Sequence, residues 1–283
     1  MHIKKISAVI IDTYQNKKLP ILAIEKTLEF NKVGKVYTFS DVPYFEGAKF
    51  VQIPKITSIK DYEKLVLDSI KNTVQEDFLL IQWDGFVLRP SNWRDEFLNY
   101  DYIGAPVLYN GKTVVGNGGF SFRSLKLINA LAEIRGDVKN QFSDLPEDML
   151  ISVGHRVCLE KLGVIFSPLE IASKFSFESS EYPTDYRNLF GFHGPWNFAI
   201  FFNEKFILPY ANEIIQRTTS FMSLVVFLEQ CQKMEKNTLL LESISSIKNH
   251  PNITQMISKH LSDETYSRWA TRFFRVMGSY SYE

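Results

Sequence analysis

The sequence predicts an α/β fold: a mixed, mostly parallel sheet flanked by helices, with a helical C-terminal extension. Three observations carry this expectation. Short apolar runs at 6–12, 35–39 and 78–81 lack the polar alternation of a half-exposed strand, as strands buried on both faces do. Stretches with helical periodicity separate them. Each run also stops at polar or acidic residues, namely Asp12-Thr13, Ser40-Asp41 and Gln82-Trp83-Asp84. Sheets of this kind gather ligands at the carboxyl ends of their strands.

The elements follow in order. ISAVIID (6–12) reads as the first strand and LPILAIEKTLEF (19–30) as the first helix. KVYTF (35–39) is the second strand, and Phe50 to Ile53 a third. Residues 58–74 form an amphipathic helix, with Ser58-x-x-Asp61 as its cap and Tyr62, Val66, Ile70 and Val74 on one face. FLLI (78–81) runs straight into Gln82-Trp83-Asp84-Gly85. YIGAPV (102–107) and VVGNGGFSFRS (114–124) suggest strands and tight glycine turns. A helix is expected from Leu125 to Arg135 and another over 146–163, where Pro146 suits a first helical turn. Residues 164–178 read as extended, and NLFGFHGPWNF (188–198) closes this part. The expected division is a domain over 1–202, in halves 1–100 and 101–202, followed by a helical region over 203–283.

Composition narrows the function. The chain has 283 residues, with 32 basic side chains against 32 acidic ones. That balance argues against a broad positive surface for nucleic acid. Cys158 and Cys231 lack zinc spacing and read as inert thiols of a reducing compartment. The apolar runs near the N-terminus and at Phe221–Leu228 fall far short of the roughly 20 residues a membrane span needs. A cytoplasmic protein is expected. The G-x-G-x-x-G and G-x-x-x-x-G-K-[ST] loops are absent, which lowers NAD enzymes and P-loop NTPases.

Four places have side chains suited to chemistry. Asp84 at a strand end is where a carboxylate holds Mg²⁺ or Mn²⁺ on a nucleotide diphosphate, although Asp-Gly is equally a common turn. Gly116, Gly118 and Gly119 interrupt a β-rich run, as at a bulge, a hairpin or a backbone pressed against ligand. Glu147-Asp148 opens a helix, which stabilises the ionised form of a base and is also ordinary helix-start electrostatics. His193 sits among glycines and aromatics, as in a rigid loop presenting one imidazole.

The order of these elements resembles glycosyltransferases of the GT-A fold, a Rossmann-like layout. More narrowly it is similar to a bacterial and fungal glycosyltransferase-like family catalogued mainly as a domain of unknown function. The resemblance rests on QWDG (82–85), NGGFSFRS (117–124), ED (147–148), ASKFSFE (172–178) and FGFH (190–193). It implies a nucleotide-sugar donor, most readily a UDP-sugar, with Mn²⁺ or Mg²⁺. The implied donor-binding residues are Asp12, Thr13, Ser40, Asp41, Gln82, Trp83, Asp84, Asn117, Gly118 and Gly119. Asp84 stands for the metal-binding carboxylate of a D-x-D motif whose first acid is Gln82 here, and His193 is implied as a further ligand. Asp148 matches the acceptor-activating base of inverting members, with Glu147 orienting sugar or acceptor. The implied acceptor is a glycan or lipid-linked oligosaccharide of surface-polysaccharide assembly. Arg268, Arg272 and Arg275 within 265–280 suit an amphipathic helix on the inner face of the membrane, or one docked on the protein with its arginines solvated. The competing readings are a non-catalytic nucleotide-sugar or glycan binder, and a nucleotidyltransferase.

Overall fold

The computed structural model describes residues 5–137, 145–179, 182–247, 249–250, 252–256 and 264–278. The chain divides into two compact units, Met1–His193 and Gly194–Glu283.

The first unit is built on a six-stranded sheet in the order β3-β2-β1-β4-β9-β6. Strands β1 (Ile6–Ile11), β2 (Val33–Ser40), β3 (Lys49–Gln52) and β4 (Phe78–Ile81) are parallel, whereas β9 (Ser121–Arg123) and β6 (Tyr102–Ile103) join antiparallel. This is the mixed, mostly parallel sheet that the apolar runs predict. Every residue of β1 and of β4 is buried, which is why neither strand alternates. Helix α1 (Lys18–Leu28) buries Leu19, Leu22, Ala23 and Ile24 along one stripe, and Pro20 occupies its first turn, where a missing N–H costs little.

The stretch 58–74 begins as helix α2 (Ile59–Lys64), continues through a π turn at Leu65–Ser69 and ends in a 3₁₀ turn at Ile70–Asn72. Its expected cap is present: Ser58 Oγ accepts from the Asp61 amide, and Asp61 accepts in return from the Ser58 amide. The expected long helix at 146–163 is instead interrupted. Helix Glu147–Met149 passes into a π turn at Leu150–Gly154 before helix Arg156–Lys161. Residues 164–178 are not extended throughout, because Pro168 starts a helix, Leu169–Phe175, that buries Ile171, Ala172 and Phe175. Strands β7 (Pro106–Tyr109) and β8 (Lys112–Val115) form a hairpin closed by Asn110-Gly111, both at positive φ as a type I′ turn needs.

A small three-stranded sheet, β10-β11-β5, positions the site. Strand β5 (Gly85–Val87) pairs antiparallel with β11 (Gly191–His193), so that His193 faces Gly85 across the ladder. Strand β10 (Ser176–Phe177) flanks β11. The sheet is anchored by aromatic packing: the Phe190 ring lies 5.1 Å from both Phe30 and Trp93 and 5.6 Å from Phe175.

The described residues of the second unit are mostly helical, as the sequence predicts for the C-terminal region. Helix Phe221–Lys233 buries Leu224, Val225, Phe227, Leu228 and Cys231, and Phe221 meets Phe273 of helix Glu264–Gly278 at 5.3 Å. Two of the three arginines noted in 265–280 turn toward Glu229: Arg272 as a bidentate partner, and Arg275 at 3.4 Å. Residues 279–280 of that segment lie outside the described residues. No helix among the described residues is long and apolar enough to cross a membrane.

Candidate functional site

Strand β4 ends in a tight turn. The Gln82 amide donates to the Gly85 carbonyl at 2.8 Å and the Gly85 amide returns to Gln82 at 3.1 Å, which puts Trp83 and Asp84 at the tip. Asp84 is buried and Trp83 half-buried. Gly85 does not have a positive φ, so it does not supply an unusual backbone angle to this turn. A Cβ there would lie 2.8 Å from the His193 ring, and one on Gly119 would lie 2.1 Å from His193 Nε2. Both residues are glycine because the imidazole fills the space of their missing side chains.

Hydrogen bonds fix both edges of that ring. Asn117 Oδ1 accepts from the Gly119 amide at 2.9 Å, which directs the Asn117 amide nitrogen toward His193 Nδ1, also at 2.9 Å. His193 Nε2 lies 3.1 Å from Gln82 Oε1, and Gln82 Nε2 donates to the Tyr62 hydroxyl at 2.6 Å. The arrangement suits the Nε2–H tautomer, and a second proton on Nδ1 finds Glu178 Oε1 at 3.3 Å. Burial opposes charge on the ring, but Asp84 and Glu178, with Asp148 behind them, outweigh it and raise the His193 pKa to about 9. The pocket attracts positive charge.

Asp148 Oδ2 accepts from the Gly118 amide at 3.1 Å, and its Oδ1 from the Met149 amide at 2.8 Å. Burial, and then the adjacent Glu147, push its pKa up to about 6 despite those two amides. Glu147 has a different fate. Its carboxylate pairs with Arg123, a fully buried guanidinium whose Nη1 reaches Oε1 and whose Nη2 lies 3.3 Å from Oε2. Two neighbouring acids on one turn thus point to different partners.

Gln82, Asn117, Gly118, Gly119, Glu147, Asp148 and His193 all line one pocket of about 450 Å³, together with Ile59, Lys60, Tyr62 and Glu63 of α2 and Leu145-Pro146. Asp12, Thr13, Ser40, Asp41, Trp83 and Asp84 are not on this lining. Asp12, Ser40 and Asp41 form a second cluster around Lys17. The Lys17 ammonium donates to the Asp12 carbonyl at 2.9 Å, to Asp12 Oδ1 at 3.1 Å and to Ser40 Oγ at 3.2 Å, and lies 3.8 Å from Asp41. Thr13 Oγ1 accepts from the Ile56 amide at 2.9 Å. Sequence reasoning missed Lys17, Tyr62, Arg123 and Glu178. The last two stand inside the NGGFSFRS and ASKFSFE stretches, where a charge amid apolar residues was the available signal; Arg123 is buried and Glu178 half-buried.

As a donor, the Asp84 carboxylate suits Mn²⁺ or Mg²⁺, whereas an imidazole is the softer ligand. Asp84 Oδ1 is 3.8 Å from His193 Nε2. Among the described residues, no three His, Cys, Asp or Glu side chains assemble into a ready-made ion site. Asp84 fits a cation that takes one protein ligand and draws its remaining oxygens from a substrate diphosphate; His193 would join it only on giving up its Nε2 proton.

No curated protein matches the chain by sequence. Similar solved structures include a glycosyltransferase involved in the glycosylation of the major capsid of PBCV-1, at 11% identity, covering 66% of this chain and 92% of that one with a TM-score of 0.39. Another is galactosyltransferase LgtC in complex with donor and acceptor sugar analogs, at 12% identity, 68% and 89% coverage, and a TM-score of 0.38. A third is the bifunctional IspDF from Campylobacter jejuni, at 12% identity and a TM-score of 0.34; the match covers 56% of this chain, which spans about half (48%) of that protein. A family model described as "Protein of unknown function (DUF5672)" matches residues 47–193, just over half of the chain and every pocket-lining residue named above, and the chain belongs to that family.

Proposed function

We propose that this pocket binds a nucleotide-sugar and that the chain transfers the sugar to an acceptor hydroxyl. The observation that carries this reading is convergence. Residues of the Q-x-D-G, N-G-G-F-S-x-R-S, E-D and F-G-x-H stretches, spread over more than a hundred positions, line one cavity with Asp148 on its wall. In the proposed step the Asp148 carboxylate takes the acceptor's hydroxyl proton as that oxygen bonds the anomeric carbon. The bond from that carbon to the diphosphate breaks with its electron pair leaving on the phosphate oxygen. The outcome is inversion. Asp84 and His193 would hold Mn²⁺ or Mg²⁺, which supplies charge stabilisation for a departing diphosphate. Gln82, Asn117, Gly118 and Gly119 shape the donor site, and UDP is the expected nucleotide. The Asp12, Ser40 and Asp41 cluster around Lys17, at strand ends, is assigned to the nucleoside.

The test is thermal-shift binding of UDP, GDP, CMP and ADP with and without Mn²⁺, in wild type and Asp84→Ala. Mass action raises the melting temperature of a protein whose native state alone binds the ligand. A metal-dependent UDP shift lost in Asp84→Ala is expected; no shift with any nucleotide sinks the proposal. Turnover should rise with pH to a plateau, with a midpoint of about 6, because the base must be ionised. Nucleotide binding without turnover, unchanged in Asp148→Asn, selects the binding-protein reading instead. Membrane contact by the C-terminal helix rests on exposed Arg268 and Phe274, since Arg272 and Arg275 face Glu229. An Arg268→Glu/Phe274→Glu variant should then lose pelleting with vesicles of anionic lipid.

A further inference from the structure

Arg123 has no exposed surface, and it is the hub of the pocket's polar scaffold. Its Nε donates to Ser121 Oγ at 3.0 Å, and Nη2 reaches the Gly118 carbonyl at 3.4 Å. Ser121 Oγ donates to that same carbonyl at 3.0 Å. The other side of the Gly118 residue, its amide, holds Asp148. The guanidinium also lies 5.6 Å from the Tyr102 ring, and Glu147 takes both teeth of its fork. A charged group is buried this way only with its partners in place, because an unpaired guanidinium out of water is strongly destabilising.

We infer that Arg123 is the positioning residue of this pocket: by binding Glu147 and bracing Gly118, it leaves Asp148 as the working acid on the wall and sets its orientation and proton affinity. The catalytic consequence rests on the transfer reading above; the coupling among the three side chains does not. The titratable groups that bear on Asp148 are Glu147 on its own helix, Glu178 beside β10, His193 on β11 and Tyr102 on β6, and Lys60 and Glu63 of α2 share the pocket lining with it. Of these, only Glu147 is adjacent to Asp148 in sequence and also forked onto Arg123, so a change at Arg123 reaches Asp148 through Glu147 and Gly118.

The experiment is a carboxyl-carbon NMR titration of Asp148 in the full chain, alongside pH profiles of any transfer activity. The variants are Glu147→Gln, Arg123→Lys, Arg123→Met and the double variant Arg123→Met/Glu147→Gln. Glu147→Gln should lower the Asp148 midpoint by about one pH unit, the size expected for removing one like-charged neighbour. Arg123→Met should raise it by a similar amount, because Glu147 loses that counterion. The double variant should fall back to the Glu147→Gln value. Arg123→Lys keeps the charge and loses the fork, so it should restore the midpoint partly and fold better than Arg123→Met. If Arg123→Met does not fold, the comparison of wild type, Glu147→Gln and the double variant decides. An Asp148 midpoint that ignores Glu147→Gln in a folded protein overturns the inference. So does a double variant that differs from Glu147→Gln as much as Arg123→Met differs from wild type. Where transfer is measurable, the acid limb of kcat should move with the NMR midpoint while the donor KM stays within about threefold. Midpoints that move as expected in a protein that transfers no sugar would retain the coupling and remove the transfer reading.

Discussion

At the scale of single residues, His193 and Asp148 show how the pocket differs from ordinary surface. Asp148 is held where its charged form is disfavoured, with its pKa raised from 3.8 to about 6. Between those two values the folded state keeps a proton that the unfolded chain has released, so stability declines as pH rises through that window. Asp148→Asn removes the penalty and retains an oxygen for the Gly118 amide. It should gain up to about 3 kcal/mol at pH 8 and nothing near pH 3.5, read from urea melts at both pH values. A variant equally stabilised at both pH values would contradict the account of burial as cause. Gly119→Ala brings a methyl into the space of the His193 ring. It should destabilise by about 1–3 kcal/mol, as overpacking does, and displace the His193 imidazole resonances from their wild-type positions. QWDG and NGGFSFRS were recognisable as motifs in the sequence. That Gly85 and Gly119 serve one histidine more than seventy positions away was not, since nothing local distinguishes that role from a turn.

At the scale of elements, local chemistry was legible wherever the partners are near in sequence. The Ser58-x-x-Asp61 box is one case, and Ser58→Ala should cost about 1 kcal/mol, with the loss confined to faster amide exchange at the start of α2. The buried strands β1 and β4 are another. The helix after Pro168 is not legible in the sequence, because apolar residues in short windows fit both a strand and a buried helix, and neither is the π turn that interrupts the helical stretch after Asp148. Strand β11 could not be placed from its three residues. Its pairing with β5 joins positions more than a hundred apart, and is supported by Phe190 packing among Phe30, Trp93 and Phe175. Phe190→Ala should cost about 3–5 kcal/mol and lower nucleotide binding along with stability, because the strand that carries His193 is anchored there. Unfolding by urea and nucleotide titration check the two effects separately.

At the scale of the whole molecule, the balanced charge and a pI near 7.0 place the solubility minimum near neutrality, so precipitation against pH should be greatest there and lessen on either side. The same balance weighs against a polyanion-binding surface. By itself the sequence determined the fold class, the parallel core strands and the helical C-terminal region, because burial on both faces is written in local runs; of the polar strand-end residues only Gln82 lines the pocket, and the other expected residues on its lining rest on the order of the motifs. Tertiary structure alone decided which acid is forked onto Arg123 and which is left to the pocket. It also decided that Lys17 draws Asp12, Ser40 and Asp41 into a separate cluster, and that an imidazole fills the space left by Gly85 and Gly119. Those outcomes depend on distances between groups remote in sequence, and electrostatic and steric energies change steeply over the few ångströms that only the folded chain fixes.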